Sequence, residues 1–477
     1  MGLIQISASI LIALMIGALT RGTWRTTRAC LLLAFSVLAA YWFQSLLPFR
    51  SFDFWLPSLS LALVILTWLI ISQPGAWRIR QNIIGFLIII GSVTFIDLSR
   101  YLLPESVLTA TTPPPFFQYF VFILIVGLII LAVTWASKRS PSAITGTIIL
   151  LILILIVLKT PTLSLQTSIF FRNLANRSVE NASFTDLRWL GFSYIAFRLI
   201  HVLRDKQMRR LPKLSLPEFA TYVVFFPSLA AGPIDRAERF AQDLRNDFAL
   251  SQDEILRAGQ RIFLGLFKKF VVADALALVA LNDTLATQVR TAGWMWIVVY
   301  AYTFQIYFDF SGYTDIAIGI ARLVGIKLPE NFAAPYTKPN LTQFWNSWHM
   351  TLTQWFRSYF FNPFNRWMRG FKDIPTGMMI LIGQVATMSL IGLWHGITLN
   401  FILWGLWHGL GLFLQNRWSD FVRRRFPDLG QNTRLQLVLQ ISGILLTFHF
   451  IALGWVFFSL SEPALSLMVF RKLFNLF

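Results

Sequence analysis

Charge is scarce in this 477-residue chain. Asp, Glu, Lys and Arg together make up 13% of it, against roughly a quarter in ordinary soluble proteins. A soluble domain of this length needs polar faces to meet water, and the first third of the chain offers none. Cysteine is nearly absent. The single Cys30 excludes an internal disulfide, a thiolate metal cluster and a two-cysteine redox pair; without a neighbouring base it reads as a packed or interfacial thiol. Acids number 22 against 41 bases, and histidines only five. Carboxylates near those histidines are few, which argues against a metal centre. No HExxH, P-loop, GxSxG or dinucleotide fingerprint is present, and neither is an internal repeat.

Apolar residues take the place of charge, at 56% of the chain. They come in blocks, at 4–19, 31–47, 56–71, 83–96, 116–136 and 144–158, separated by short polar breaks. A helix needs about 20 apolar residues to cross the hydrocarbon, and roughly 17 at the least. Backbone amides in lipid must be satisfied within their own segment, so these blocks are expected to be helices. The fold class expected is all-α, a polytopic membrane protein.

The excess of +19 would suggest nucleic acid in a soluble chain. Here the bases sit in alternate breaks: Arg21, Arg25 and Arg28; Arg78 and Arg80; Lys138 and Arg139; Arg204, Lys206, Arg209, Arg210 and Lys213. Positive residues favour the cytoplasmic side. This alternation predicts a multi-pass protein of the cell (inner) membrane with its N-terminus outside, a lipid bilayer as partner and no nucleic acid. The first block lacks a basic leader and a small-residue cleavage site, so it is expected to be an anchor.

Texture divides the chain. Residues 1–158 read as plain N-terminal transmembrane helices, 159–186 as a polar outer-side connection, 187–413 as a core with Trp, His, Asn and Gly interspersed, and 414–477 as a basic loop and C-terminal transmembrane helix. Polar groups inside a membrane usually mark a pathway or site, so chemistry belongs in 187–413. A capping-box spacing at Ser251 and Glu254 opens a basic amphipathic helix. It suits the headgroup layer, and equally a helix packed under the bundle.

The most informative stretch is 307–364. Asp309 and Arg322 read as an internal structural pair. A helix is expected over 342–361, with Thr342, Asn346, His349, Thr353 and Arg357 on one stripe of about 80°. Such a stripe on an aromatic helix suits a tunnel lining, or a polar contact between packed helices. A second stretch, 384–409, carries His395 and His408, each between Trp and Gly. Gln384 lies three turns before His395 on the same face, and Gly392 and Gly396 allow close approach of backbone or substrate. A buried, neutral imidazole suits a general base. A base acting on a hydroxyl, with an activated donor from elsewhere, is the simplest chemistry. That logic allows acyl transfer without naming it, and a non-enzymatic transporter or flippase with a polar tunnel is the alternative.

Several motifs occur together and in order: GFSYIAFRLIHVLRD at 191–205, FFPSLAAGPIDRAERF at 225–240, IFLGLFKKFVVADALA at 262–277, the FDFSGYTDIAIGIARLVGIKLPENFAAPY run, and both WH motifs. Together they resemble the membrane-bound O-acyltransferase (MBOAT) family, in its bacterial alginate O-acetyltransferase and D-alanyl-lipoteichoic-acid acyltransferase branch. The resemblance implies a ring of transmembrane helices around a central tunnel. It implies an acyl group moved from a cytoplasmic thioester, acyl-CoA or acyl carrier protein, to a hydroxyl of an extracytoplasmic polysaccharide or glycolipid. No bound cofactor or metal is implied, and there is room for an envelope-side acyltransferase partner. His395 matches the family's catalytic histidine and His349 its second signature histidine. Asn346, Thr353, Arg357 and Gln384 are the expected substrate contacts, and packing is the preferred role of His408.

Overall fold

The computed structural model describes residues 2–20, 25–103, 108–137, 142–371, 373–426 and 432–476. Among them helices abound and no β-strand occurs. Arg21, Lys138 and Arg139, on which part of the orientation argument rests, lie outside the described residues. Among the described residues six helices are long and apolar enough to cross a membrane, and the chain folds as two compact units.

The first unit comprises 1–262 with 316–329. Its helices are α1 (Leu3–Leu19), α2 (Arg25–Trp42), α3 (Phe52–Ile71), α4 (Arg80–Leu102), α5 (Phe116–Ser137), α6 (Ser142–Lys159), α7 (Pro161–Leu174), α8 (Phe192–Gln207), α9 (Leu216–Val224), α10 (Ala237–Arg245) and most of α11 (Gln252–Leu266). The span of α3 is 67% buried within the protein, whereas those of α5 and α6 are 6% and 11% buried. α3 is therefore a core helix, and α5 and α6 turn almost all their apolar surface outward, as lipid contact requires.

Buried cations tie this unit together. Arg28 is 1% exposed and donates to the carbonyls of Asp243, Leu244 and Asn246 at 2.8, 3.0 and 2.9 Å. These are free carbonyls at the C-terminus of α10, where a cation also meets the negative end of the helix dipole. Arg28, which the sequence pattern counted among the bases of a cytoplasmic-side break, is thus a packed cap. Arg198 does the same within the unit, donating to Val223 O at 2.7 Å and Ser228 O at 2.8 Å.

The connection expected at 159–186 contains a helix, α7, started by Pro161 at a position where the missing N–H is no loss. Near its end Arg172 pairs with Asp186 at 2.9 Å, and Ser168 Oγ donates to the same carboxylate at 2.6 Å.

The second unit comprises 263–315 and 330–477. A π-helical segment (Phe267–Ala273) leads to α12 (Asp274–Ala277), α13 (Asp283–Gln288) and α14 (Ala292–Leu323), whose last turns belong to the first unit. Then come α15 (Leu341–Trp345), α16 (Met350–Phe356), a second π-helical segment (Arg357–Phe361), α17 (Asn362–Met368), α18 (Thr376–His395), α19 (Leu399–Arg425), α20 (Thr433–Ser459) and α21 (Pro463–Leu473). Met295, Val299, Ala452, Val456 and Val469 pack α14, α20 and α21 into one apolar core.

The glycines of the WH motifs explain how α18 and α19 meet. A Cβ on Gly392 would lie 2.2 Å from the Phe401 carbonyl oxygen, and one on Gly405 would lie 2.5 Å from Ser389 Cα. Both positions need glycine because backbone approaches backbone there.

Asp309 and Arg322 do not pair. They lie 13 residues apart on α14, about 20 Å along the axis, too far for side chains to bridge. Asp309 instead pairs with Lys269, and Arg322 with Glu254 at 2.6 Å. Lys268 pairs with Asp315 at 2.7 Å. The basic residues at 268 and 269 are therefore committed to acids on α14, while Phe263 and Phe267 beside them are exposed.

Burial pushes the Asp186 carboxyl up, but hydrogen bonds from Ser168, Arg172 and the Ser183 amide outweigh it and hold the group below the usual carboxylate range. Its stabilisation is present above the unfolded pKa and is lost as pH falls through the folded value. Asp186→Asn should therefore cost about 3 kcal/mol near neutral pH. In thermal unfolding of detergent-solubilised protein, the gap from wild type should narrow steadily below about pH 4.

Candidate active site

The helix expected over 342–361 is broken. α15 stops at Trp345, and α16 begins only at Met350. Between them His349 takes a left-handed backbone, φ 41° and ψ 52°. The break has a long-range cause. The Met350 amide donates to Asn331 O at 3.0 Å, and the Ala333 amide donates to Ser347 O at 3.0 Å. Residues 331–333 thus exchange hydrogen bonds with the turn at 347–350. A left-handed non-glycine residue costs about 1–3 kcal/mol and persists where its surroundings hold it.

The polar stripe is dispersed as a result. Thr342 donates to Gln415 Oε1 at 2.9 Å. Asn346 is exposed and accepts from Arg357, also exposed, at 2.7 Å. Thr353 is half-buried and donates weakly to Trp348 O at 3.4 Å. His349 alone of the stripe turns inward, at 3% exposure.

His349 and His395 line one cavity of about 140 Å³, within the second unit. Aromatic and aliphatic side chains make up most of its wall, among them Phe310, Trp348, Trp404 and Phe458, with Asp309 as the acidic contributor. His395 is the last residue of α18 and packs edge-on to Phe458, ring centres 4.7 Å apart. The Trp394 ring touches both imidazoles, at 4.6 Å from His395 and 6.3 Å from His349. Phe310 packs edge-on to His349 at 4.6 Å.

Asn331 determines which nitrogen of His349 carries the proton. Its Oδ1 accepts from the Thr351 amide at 3.2 Å and the Thr351 hydroxyl at 2.7 Å, and it faces His349 Nδ1 at 3.3 Å. An oxygen already accepting these bonds requires a donor from the imidazole too, so Nδ1 bears hydrogen. Nε2 is then the lone-pair nitrogen. It is buried and has no hydrogen-bond partner among the described residues.

The other sequence candidates stand off this wall. Gln384 lies on α18 with its Oε1 buried and unpartnered among the described residues. His408 is fully buried between Trp345 and Trp404, at ring distances of 5.2 and 4.8 Å. Among the described residues no cluster of three or more His, Cys, Asp or Glu could hold a metal ion. Sequence reasoning gave no role to Asn331 and read Asp309 as purely structural. The signal for Asn331 was its place in the Pro-broken loop after α14, where a polar side chain adjoins an apolar motif. Asp309 is held at the cavity by Lys269 from a π-helical segment, a conformation often found at functional sites.

Residues 142–461, more than half of the chain, match the membrane-bound O-acyltransferase family. The teichoic acid D-alanyltransferase of Bacillus subtilis is 33% identical over 278 residues, covering 57% of this chain and 69% of that protein. The probable alginate O-acetylase AlgI of Pseudomonas syringae is 35% identical over 270 residues, 56% of this chain and 48% of its own length. The peptidoglycan O-acetyltransferase of Helicobacter pylori is 36% identical over 264 residues, 54% and 47% respectively. The chain therefore spans about half the length of the last two and over two thirds of the first. With His349 and His395 on one cavity and this match beneath them, the chain belongs to the membrane-bound O-acyltransferase family, as an acyltransferase of the kind that acts on cell-envelope polymers.

Proposed function

We propose that this chain moves an acetyl group from a cytoplasmic thioester, acyl-CoA or an acyl carrier protein, to a hydroxyl of an extracytoplasmic polysaccharide or glycolipid. The observation that carries the reading is the shared cavity of His349 and His395. Its volume of about 140 Å³ admits a two-carbon acyl group and excludes a long fatty chain. Its wall also favours acetyl over D-alanyl. An ammonium there would leave water without a free acidic partner, which is costly, because Asp309, the carboxylate of the wall, is already paired with Lys269.

In this mechanism the acceptor hydroxyl oxygen attacks the thioester carbonyl carbon while His395 takes the hydroxyl proton. The C–S bond then breaks, and His395 returns the proton to the leaving thiolate, giving ester and thiol. His349, with hydrogen on Nδ1, offers a lone pair at Nε2 and accepts a hydrogen bond from a neighbouring hydroxyl of the acceptor. It orients the sugar in this way. Asn346, Thr353, Arg357 and Gln384 stand away from the cavity wall and are assigned to guiding the acceptor towards it. The N-terminus is assigned to the outer side, and an envelope-side acyltransferase partner is compatible with this arrangement.

His395→Gln should lower acetyl transfer by about 10²–10⁴-fold, the range of a lost general base. His349→Gln keeps an accepting oxygen and should lose only about tenfold, mainly through acceptor KM. Mass analysis of envelope glycans from cells carrying each variant, with membrane insertion checked in parallel, reads both. Unchanged acetyl content in the His395→Gln cells would refute the proposal. Asn331→Ala frees the His349 tautomer and should cost about tenfold (roughly 1.4 kcal/mol of barrier), whereas Asn331→Asp, which keeps the accepting oxygen, should cost less. Reporters fused after Arg28 and after Asn173 should fall on opposite sides, inside and outside respectively.

A further inference from the structure

The first unit contains two cavities, far in sequence from the histidines, that share one rim. One is an apolar crevice of about 720 Å³ between α3, α4 and α5, walled by residues such as Leu61, Ile65, Phe86, Val93, Val126 and Gly127. The other is a polar cleft of about 480 Å³, to which Lys206, Lys213, Glu218 and Arg245 contribute. Ser72, Gln73 and Lys206 line both. The pair therefore makes a single amphipathic site, with an oily limb and a charged mouth.

We propose that this site holds one anionic membrane phospholipid, its phosphate at Lys206 and Lys213 and an acyl chain along the crevice. The shape fits a tail. Along α3 the lining runs from Ser58 to Ser72, about 21 Å at 1.5 Å per residue, more than the ~15 Å of one leaflet's hydrocarbon. Its volume lies in the range of small-molecule sites, which bury most of their ligand.

The charge fits a phosphate. The carboxylate in the cleft, Glu218, is engaged by Arg245 at 2.7 and 2.9 Å, so that pair is neutral. Lys206 and Lys213 supply the net charge. Lys206 donates to the free carbonyl of Ile71 at 2.6 Å, at the last residue of α3. That bond stations its ammonium at the junction of oily limb and mouth, where a lipid's phosphate would sit. Basic pockets between transmembrane helices recognise anionic headgroups in this way. A bare apolar groove would accept any lipid tail, and the two lysines are what make the site selective for charge.

The test uses the full-length protein, extracted in mild detergent from membranes containing equal phosphatidylglycerol and phosphatidylcholine. Native mass spectrometry counts the lipids retained. Wild type should keep one phosphatidylglycerol at least fivefold in preference to phosphatidylcholine. Lys206→Ala with Lys213→Ala should abolish that preference, and Lys206→Arg should keep it. Gly127→Leu, which fills the crevice, should lower retention of both lipids several-fold. Monodisperse elution and an unchanged melting profile in lipid-free detergent establish that each variant is folded. Equal retention of the two lipids by wild type, or an undiminished preference in the double variant, would overturn the proposal.

Discussion

One amide oxygen organises the turn that presents His349 to the cavity. Asn331 Oδ1 accepts from the backbone and hydroxyl of Thr351 and faces the Nδ1 of His349, while the Asn331 carbonyl takes the Met350 amide. These bonds stop a helix, hold a histidine in a left-handed conformation and orient its imidazole. Without them the segment 341–361 could close into an ordinary helix, with its side chains following helical spacing. The inward direction of His349 is thus set by a loop that lies 18 residues earlier. Backbone strain of about 1–3 kcal/mol at a functional residue persists only when neighbours over-determine it, and here they do.

The second constraint is the contact of α18 with α19. Gly392 and Gly405 let the helices approach backbone to backbone, which sets the end of α18, and with it His395, against Phe401 and Trp404. The glycines flanking the WH pairs therefore serve the positioning of the imidazole through packing, with their bare Cα atoms against a neighbouring helix. His408, its sequence twin, occupies the same kind of context yet ends among Trp345, Trp404 and Phe450. Two identical pentapeptides thus place their histidines in different surroundings, because the rings that receive them differ.

Much of this was legible in the sequence, for physical reasons. Each apolar block became a helix because lipid leaves the backbone no other partner, so length and composition sufficed for α1 to α6. The family resemblance singled out His349 and His395, and these two share the cavity. What periodicity could not see was long-range. The stripe from Thr342 to Arg357 assumed an unbroken helix, and the competing bonds come from 331–333. Asp309 and Arg322 were joined by chemistry alone, whereas the rise of α14 separates them. Lys269 and Glu254, their real partners, precede α14 in the chain. Arg28 was read by its charge, and it is held by three carbonyls that no local pattern announces.

The small size and apolar wall of the chamber have a chemical consequence of their own. An activated thioester is open to attack by any hydroxyl, and bulk water would outnumber and outcompete a dilute sugar in an open cleft. A space of about 140 Å³ walled mainly by carbon has room for only a few waters, each of which takes roughly 30 Å³ of liquid. Under the proposed reaction an acyl group seated there displaces those waters, so the same rings that confine it also protect it from wasteful hydrolysis, and selectivity for the acceptor hydroxyl over solvent begins in the walls.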